Sequence, residues 1–218
     1  NFNSSTRFGV MSMQTGSKAD YSPENYSAIS INKNVLARSL VKVYFLNREN
    51  FQNDLQKKSD PLNAWGRNAG ATFDYFSRDG KWSGWAAYHH SFKPGISKEN
   101  KYMETGVAYN TRKFNAIIDF TSLGTNYYTD MGYVQRIENY DAERDTSIRV
   151  GFKHFFISFD YTAYPTKGAV ARHKFGLENY TVINPDNSFN ESNYSATQQT
   201  EFKNTSFIKT ELKHTRLN

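Results

Sequence analysis

The sequence predicts an all-β protein, an antiparallel transmembrane β-barrel of the outer-membrane type, on three observations. Apolar and polar residues alternate with period two in segment after segment. Aromatic residues make up 16% of the 218-residue chain, with 17 Phe and 15 Tyr, although mean hydropathy is only −0.75. No apolar run approaches the roughly 18 residues that a spanning helix needs. A helical membrane protein is thereby excluded, whereas low hydropathy with many rings is expected of strands that carry one lipid-facing row and one wet row.

Period two matters because successive strand side chains point to opposite faces. Strands are expected around Phe8–Thr15 and Tyr26–Asn32. Next, Val41, Val43 and Phe45 alternate with Lys42 and Tyr44. Ala69, Ala71, Phe73 and Tyr75 form an apolar row against Asn68, Gly70, Thr72 and Asp74. Ser77-Arg78-Asp79-Gly80 follows, and its Asp-Gly pair suits a tight hairpin turn. From Trp82 to Phe92 the outer set is Trp82, Gly84, Ala86 and Tyr88, with Ser83, Ala87, His89 and Ser91 inward; Trp85 leaves the choice of faces open.

The next hairpin is cleaner. Met103, Thr105, Val107 and Tyr109 alternate with Glu104, Gly106, Ala108 and Asn110; after a polar turn, Phe114, Ala116, Ile118 and Phe120 alternate with Asn115, Ile117, Asp119 and Thr121. A carboxylate such as Asp119 is costly in lipid and cheap in a wet lumen, so Asp74, Glu104, Asn115 and Asp119 are expected to face the lumen. Further strands are expected at Ile148–Lys153, Phe155–Tyr161, Ala169–Tyr180 and Thr200–Leu212, giving on the order of ten, each near the ~9–11 residues that cross a bilayer at a tilt. Loops are expected at Gln52–Asn63, Pro94–Asn100, Leu123–Arg144 and Asn184–Thr197, the last because it is rich in Asn and Ser.

Rings at the strand ends (Trp82, Tyr88, Phe92, Tyr102, Tyr109, Phe114, Phe120, Tyr127 and Tyr128) are expected to form interfacial girdles. The net charge is +6, but the basic residues are spread along the chain rather than gathered in a stripe, so no nucleic-acid partner is expected. Without cysteine, neither a disulfide nor a Cys-type zinc site is available. The chain opens without an initiator Met and stops within strand-like sequence, which reads as one segment, residues 1–218, of a larger barrel.

From Leu123 the chain reads Leu-Gly-Thr-Asn-Tyr-Tyr-Thr-Asp-Met-Gly-Tyr-Val-Gln-Arg-Ile. An aromatic followed by Asp-x-Gly-Tyr/Phe-x-x-Arg after a barrel strand resembles an uncharacterised family of Bacteroidota outer-membrane proteins. In that family a carbohydrate-binding, family-nine-like β-sandwich precedes a large C-terminal barrel. Phe8–Thr15, Asn25-Tyr26 with Ala37-Arg38-Ser39, and Asn68–Tyr75 resemble the family's early strands, so the likeness runs from about Phe8 to Phe156. It implies an outer-membrane barrel without established catalytic residues; the carbohydrate-binding domain is not in this chain. The signature residues are Asp130, Gly132, Tyr133 and Arg136. Structurally, Asp130 and Arg136 can pair or cap a loop, Gly132 permits a bend and Tyr133 anchors at the interface; functionally, this loop plugs the lumen or docks a partner.

Chemistry finds little purchase. His89 and His90 are adjacent and point to opposite faces, and His154, His173 and His214 lack ligand spacing. No phosphate-binding loop or nucleophile elbow is present. Asp74, Glu104 and Asp119 are better placed to balance Lys42, Arg149 and Lys153 than to act as paired acid and base. Trp82 and Trp85 point oppositely, which argues against a shared sugar platform. The sequence therefore predicts a non-enzymatic, porin-like channel or membrane anchor of a larger surface complex, located in the outer membrane. Its partners are outer-membrane lipid and other surface proteins, with no cofactor and no metal. The alternatives are a soluble glycan-binding β-sandwich and an outer-membrane hydrolase.

Overall fold

The computed structural model describes residues 5–18, 21–53, 58–132, 134, 138–143 and 145–218. Among these, strands follow in the order β1 (Thr6–Gln14), β2 (Glu24–Val35), β3 (Ser39–Asn50), β4 (Trp65–Phe76), β5 (Trp82–Phe92), β6 (Lys101–Asn110), β7 (Phe114–Leu123), β8 (Glu138–Asp141), β9 (Thr146–Arg149), β10 (Phe152–Ala163), β11 (Val170–Ile183), β12 (Phe189–Phe202) and β13 (Phe207–Leu217). A single 3-10 turn, Pro61–Asn63, precedes β4. Eleven strands form one antiparallel sheet in the order β1-β2-β3-β4-β5-β6-β7-β10-β11-β12-β13; β8 and β9 pair as a separate hairpin. The sheet is not closed, and β1 and β13 are its edges.

Because each strand of the eleven pairs with the next of the eleven along the chain, connections alternate between the two ends of the sheet. One end carries the short turns 36–38, 77–81, 111–113, 164–169 and 203–206. The other carries 15–23, 51–64, 93–100 and 124–151, with one short turn, 184–188. The expected Asp79-Gly80 turn is present: Gly80 has φ 72, and the Asp79 carboxylate accepts from the Ser77 hydroxyl (2.7 Å) and the Lys81 N–H (3.1 Å).

Contacts group the chain into two compact units: Asn1–Asp74, Ala86–Met103 and Ser122–Phe152 form the first, and Tyr75–Trp85, Glu104–Thr121 and Lys153–Asn218 the second. In the first unit, Ile29 lies opposite Phe45 and Phe45 opposite Ala69, while Ile31, Val43 and Ala71 form the neighbouring row. These side chains make an apolar face. The reverse face carries Lys42, Tyr44, Arg48 and Asn50 of β3 and Gly66, Asn68, Gly70 and Asp74 of β4. In the second unit the apolar rows are Phe159-Leu177-Ala196-Leu212 and Tyr161-Phe175, and the polar rows include Ser158-Glu178-Ser195-Lys213 and Asp160-Gly176-Thr197-Glu211.

Burial runs opposite to the usual rule for soluble proteins. Val43 is 49% exposed, Phe45 43% and Leu177 61%, whereas Ser91 is 1% exposed, Ser192 2% and Asn68 4%. Among the described residues the buried hydrophobic set is just Ala108, Leu123, Tyr127 and Val182.

Several expectations need correction. Asn184–Thr197 is not a loop: only 184–188 turns, and β12 runs through the Asn- and Ser-rich stretch. Its polar side chains are satisfied across strands, with Asn179 donating to Ser192 (3.1 Å) and the Thr215 hydroxyl donating to Asn193 (2.7 Å), so polarity here marks a strand with polar neighbours. Thr200–Leu212 is two strands, β12 and β13, separated by a turn in which Thr205 has φ 70. Ile148–Lys153 is also divided, between β9 and β10; the stretch 124–151 carries the β8–β9 hairpin instead of being loop throughout.

Candidate functional site

Of the residues expected to face a lumen, Asp74 lies on β4, Glu104 on β6, and Asn115 and Asp119 on β7. Lys42 pairs with Asp74 (3.3 Å) across β3 and β4. Asp119 of β7 lies 3.6 Å from the His154 ring of β10, and Glu104 of β6 is within electrostatic reach of Asp119. Asn115 shares the Asp119 row of β7 and is half-buried. The expected partners of these carboxylates are only partly right. Lys42 serves Asp74, but Arg149 pairs with Glu138 (2.9 Å) in the β8–β9 hairpin and Lys153 donates to Asn187 (2.5 Å). Lys153 lies opposite Ile183, in line with the apolar row of Phe155 and Ile157, so it cannot reach the polar face.

The denser cluster lies in the first unit, around Asp130. This carboxylate accepts from the Lys93 ammonium (2.8 Å) and stands 3.7 Å from the Arg48 guanidinium. Arg48 donates in turn to Glu24 and to the Asn63 side chain; Asn50 donates to Glu24 (2.8 Å), and so does the Tyr26 hydroxyl. Lys93 also donates to the Leu62 carbonyl (3.2 Å). Such charges tolerate burial only because each has an opposite charge and further hydrogen bonds. Space for Asp130 comes from Gly66: a Cβ there would sit 1.5 Å from a carboxylate oxygen.

Residues leading to Asp130 are bound to the same polar face. Asn68 donates to the Tyr128 carbonyl (2.8 Å), and the Tyr128 N–H donates to the Ser91 hydroxyl (3.1 Å). Arg149 donates to the carbonyls of Tyr127 (2.5 Å) and Thr125 (3.3 Å), with its guanidinium 4.0 Å over the Tyr128 ring. Tyr102 stacks on His89 (5.4 Å) and meets Tyr127 (5.9 Å); the Tyr44 hydroxyl lies 2.6 Å from His89. Burial first, then the neighbouring Tyr44, pushes the Tyr127 phenol up, so it stays protonated through the physiological range.

Tyr102, Tyr127 and Tyr128 are therefore not girdle residues: they belong to the polar face and the segment bound to it. Rings that do lie along the apolar side include Trp82, 4.7 Å from Tyr109, and Phe120, 4.8 Å from Phe155. Trp85 takes the opposite side to Trp82, lying where a Cβ on Gly106 would meet its ring at 2.2 Å.

Of the signature residues, Asp130 is engaged, with Lys93 and Arg48 as its partners. Gly132 sits in an exposed bend at an ordinary backbone angle, with its carbonyl accepting from the Thr129 hydroxyl (3.4 Å). Tyr133 and Arg136 lie outside the described residues. Sequence reasoning missed Glu24, Arg48 and Lys93 altogether. Arg48 and Asn50 carried one available signal: they continue the polar parity of Lys42 and Tyr44.

Among the described residues there is no group of three or more His, Asp or Glu able to hold a metal. Comparison with protein-family models, curated proteins and solved structures returns no match.

Proposed function

We propose that this chain forms part of the wall of an outer-membrane β-barrel, acting without enzymatic chemistry as a channel or as the membrane anchor of a surface assembly. The carrying observation is the inverted burial: in each unit aliphatic and aromatic rows lie open on one face, while Asn50, Asn68 and Ser91 in the first and Thr121 and Thr162 in the second are buried on the reverse. In water, such an apolar face exceeds what monomeric proteins leave bare. In a bilayer it is the stable arrangement, with acyl chains against the apolar rows and water against the polar ones. The shallow groove between Ile157, Phe159, Leu177, Tyr194, Ala196 and Leu212 has the chemistry of an acyl-chain bed. Short turns at one end and longer connections at the other also fit a barrel inserted from one side.

Strand direction bears on completion of the wall. In a sequentially antiparallel sheet, β1 and β13 run the same way. The outer edges of a wall need backbone partners inside a bilayer, and antiparallel closure takes an odd number of further strands. The family of Bacteroidota barrels resembled by 123–144 offers a wall of this larger kind. The glycan-binding sandwich draws less support, since a sandwich needs a second large sheet against the apolar face, and among the described residues the second sheet is the short β8–β9 hairpin.

Spin labels test the proposal in the detergent-extracted or vesicle-bound protein. Labels at Phe45 and Ile118 are expected to collide with oxygen dissolved in hydrocarbon, and labels at Asp74 and Asp119 with a water-soluble relaxant. The opposite pattern, or monomeric solubility without detergent, sinks it.

A further inference from the structure

The stretch after β7 does not project from the sheet. It turns back along the polar face of the first unit, where its backbone is bonded to three side chains: Asn68 and Ser91, both almost completely buried, and Arg149. The Asn126 N–H donates to the Glu99 carbonyl (2.6 Å) and the Asn126 side chain to the Lys98 carbonyl (3.1 Å), tying the start of the stretch to the 93–100 connection. Asp130 closes it, held by Lys93 and Arg48 over Gly66. β4 makes room for it at Gly66, and Asn68 on the same face bonds it; at Gly70 the space is filled by the Tyr44 and His89 rings.

We infer that residues 124–130 are an inward strap that narrows the lumen, with the Asp130–Lys93–Arg48 ion cluster as its latch. This rests on the barrel reading, because a strap has a lumen to narrow only if the polar face lines one. Buried carbonyls and N–H groups need partners, and here the wall supplies them, so the strap is part of the wall's own hydrogen bonding. The latch is strong because Lys93 and Asp130 are both largely withdrawn from water, with side chains 5% and 17% exposed. With Glu24 on Arg48, two cations meet two carboxylates, so the narrowing acts through cross-section and favours neither ion sign.

The test uses the purified protein in planar bilayers and in vesicles. Wild type is expected to float with vesicles and to pass small currents. Asp130→Ala removes the latch; Gly66→Leu wedges the strap off while leaving every charge in place. Each is expected to raise single-channel conductance at least severalfold, while Asp186→Ala, in the 184–188 turn, leaves it unchanged. Chymotrypsin supplies a second readout: folded wild type resists cutting after Tyr127 and Tyr128, and the two variants are cut there. Variants that insert and conduct like wild type overturn the strap but leave the barrel standing. A wild-type protein cut readily at Tyr127 or Tyr128 also overturns the strap, even if neither variant folds. Failure of wild type to float with vesicles overturns the barrel reading, and the lumen-narrowing role with it.

Discussion

Two clusters on the polar faces, Asp130 with Arg48 and Lys93 in the first unit and Lys174–Asp160 with Glu211 in the second, are built from the same residue types and hold their charges in opposite ways. In the first, Arg48, Lys93 and Asp130 have side chains only 9%, 5% and 17% exposed and are bonded to one another and to Glu24 and Asn63. In the second, Lys174 meets Asp160 at 3.2 Å with 47% and 28% exposure, and Glu211 is met by Lys209 and Lys213 from the open strand β13. The difference comes from what covers the strands. A returning segment excludes water over the Asp130 cluster, so its charges become structural elements; around Lys174 and Glu211 water screens them. A sequence-level count of lumen charges cannot tell these two cases apart.

The largest effect should come from breaking the covered cluster. Arg48→Met leaves Glu24 without its cation and Asp130 with one cation fewer, and should cost about 3–5 kcal/mol, the range for removing one partner of a buried pair; denaturant unfolding in detergent checks it. Slightly smaller losses should follow a charge placed on the apolar face of either unit. Val43→Lys and Leu177→Lys should each cost roughly 2–4 kcal/mol if those positions meet mid-bilayer lipid. A change within about 0.5 kcal/mol, as for an exposed site in water, would remove the membrane from the explanation. Similar losses at both positions would confine the contrast between the units to their polar faces.

Weaker again, Lys174→Met should change stability by at most about 1 kcal/mol, as for an exposed ion pair. If its cost matches that of Arg48→Met, the distinction between covered and wet faces fails. The smallest effect belongs to the exposed turn of the second unit. The hydrogen bond from the Ser77 hydroxyl, then that from the Lys81 N–H, holds the Asp79 carboxyl below the ordinary carboxylate range. Its folded pKa is depressed, so its stabilisation is present above the unfolded value and is lost as pH falls through the folded one. Protection of the Lys81 and Trp82 amides, measured as hydrogen exchange relative to the intrinsic rate at each pH, should fall only in acid and stay constant near neutrality.

Legibility in the sequence followed the range of the interactions concerned. Ala69–Tyr75, Met103–Tyr109 and Phe114–Phe120 were readable because alternation is a local property, fixed by the pleat of each strand. For the same reason Asn115 and Asp119 could be assigned to one face of β7. Around β12 the same reasoning failed: an Asn- and Ser-rich stretch reads as loop until Asn179 and Thr215 of the adjoining strands are seen to satisfy it. Asp130 stood out by its motif, but its partners did not.

What the sequence determined by itself is the alternation, hence the all-β fold, the division of side chains between two faces and the Asp79-Gly80 turn. The tertiary structure alone decided that Glu24, Arg48, Lys93 and Asp130, spread over more than a hundred positions, meet above Gly66, and that the stretch after β7 lies against the wall. Strand pairing brings distant segments together, and a charge acquires a partner only once the register of its strand is fixed. That register is set by neighbours remote in the chain, which no local pattern encodes.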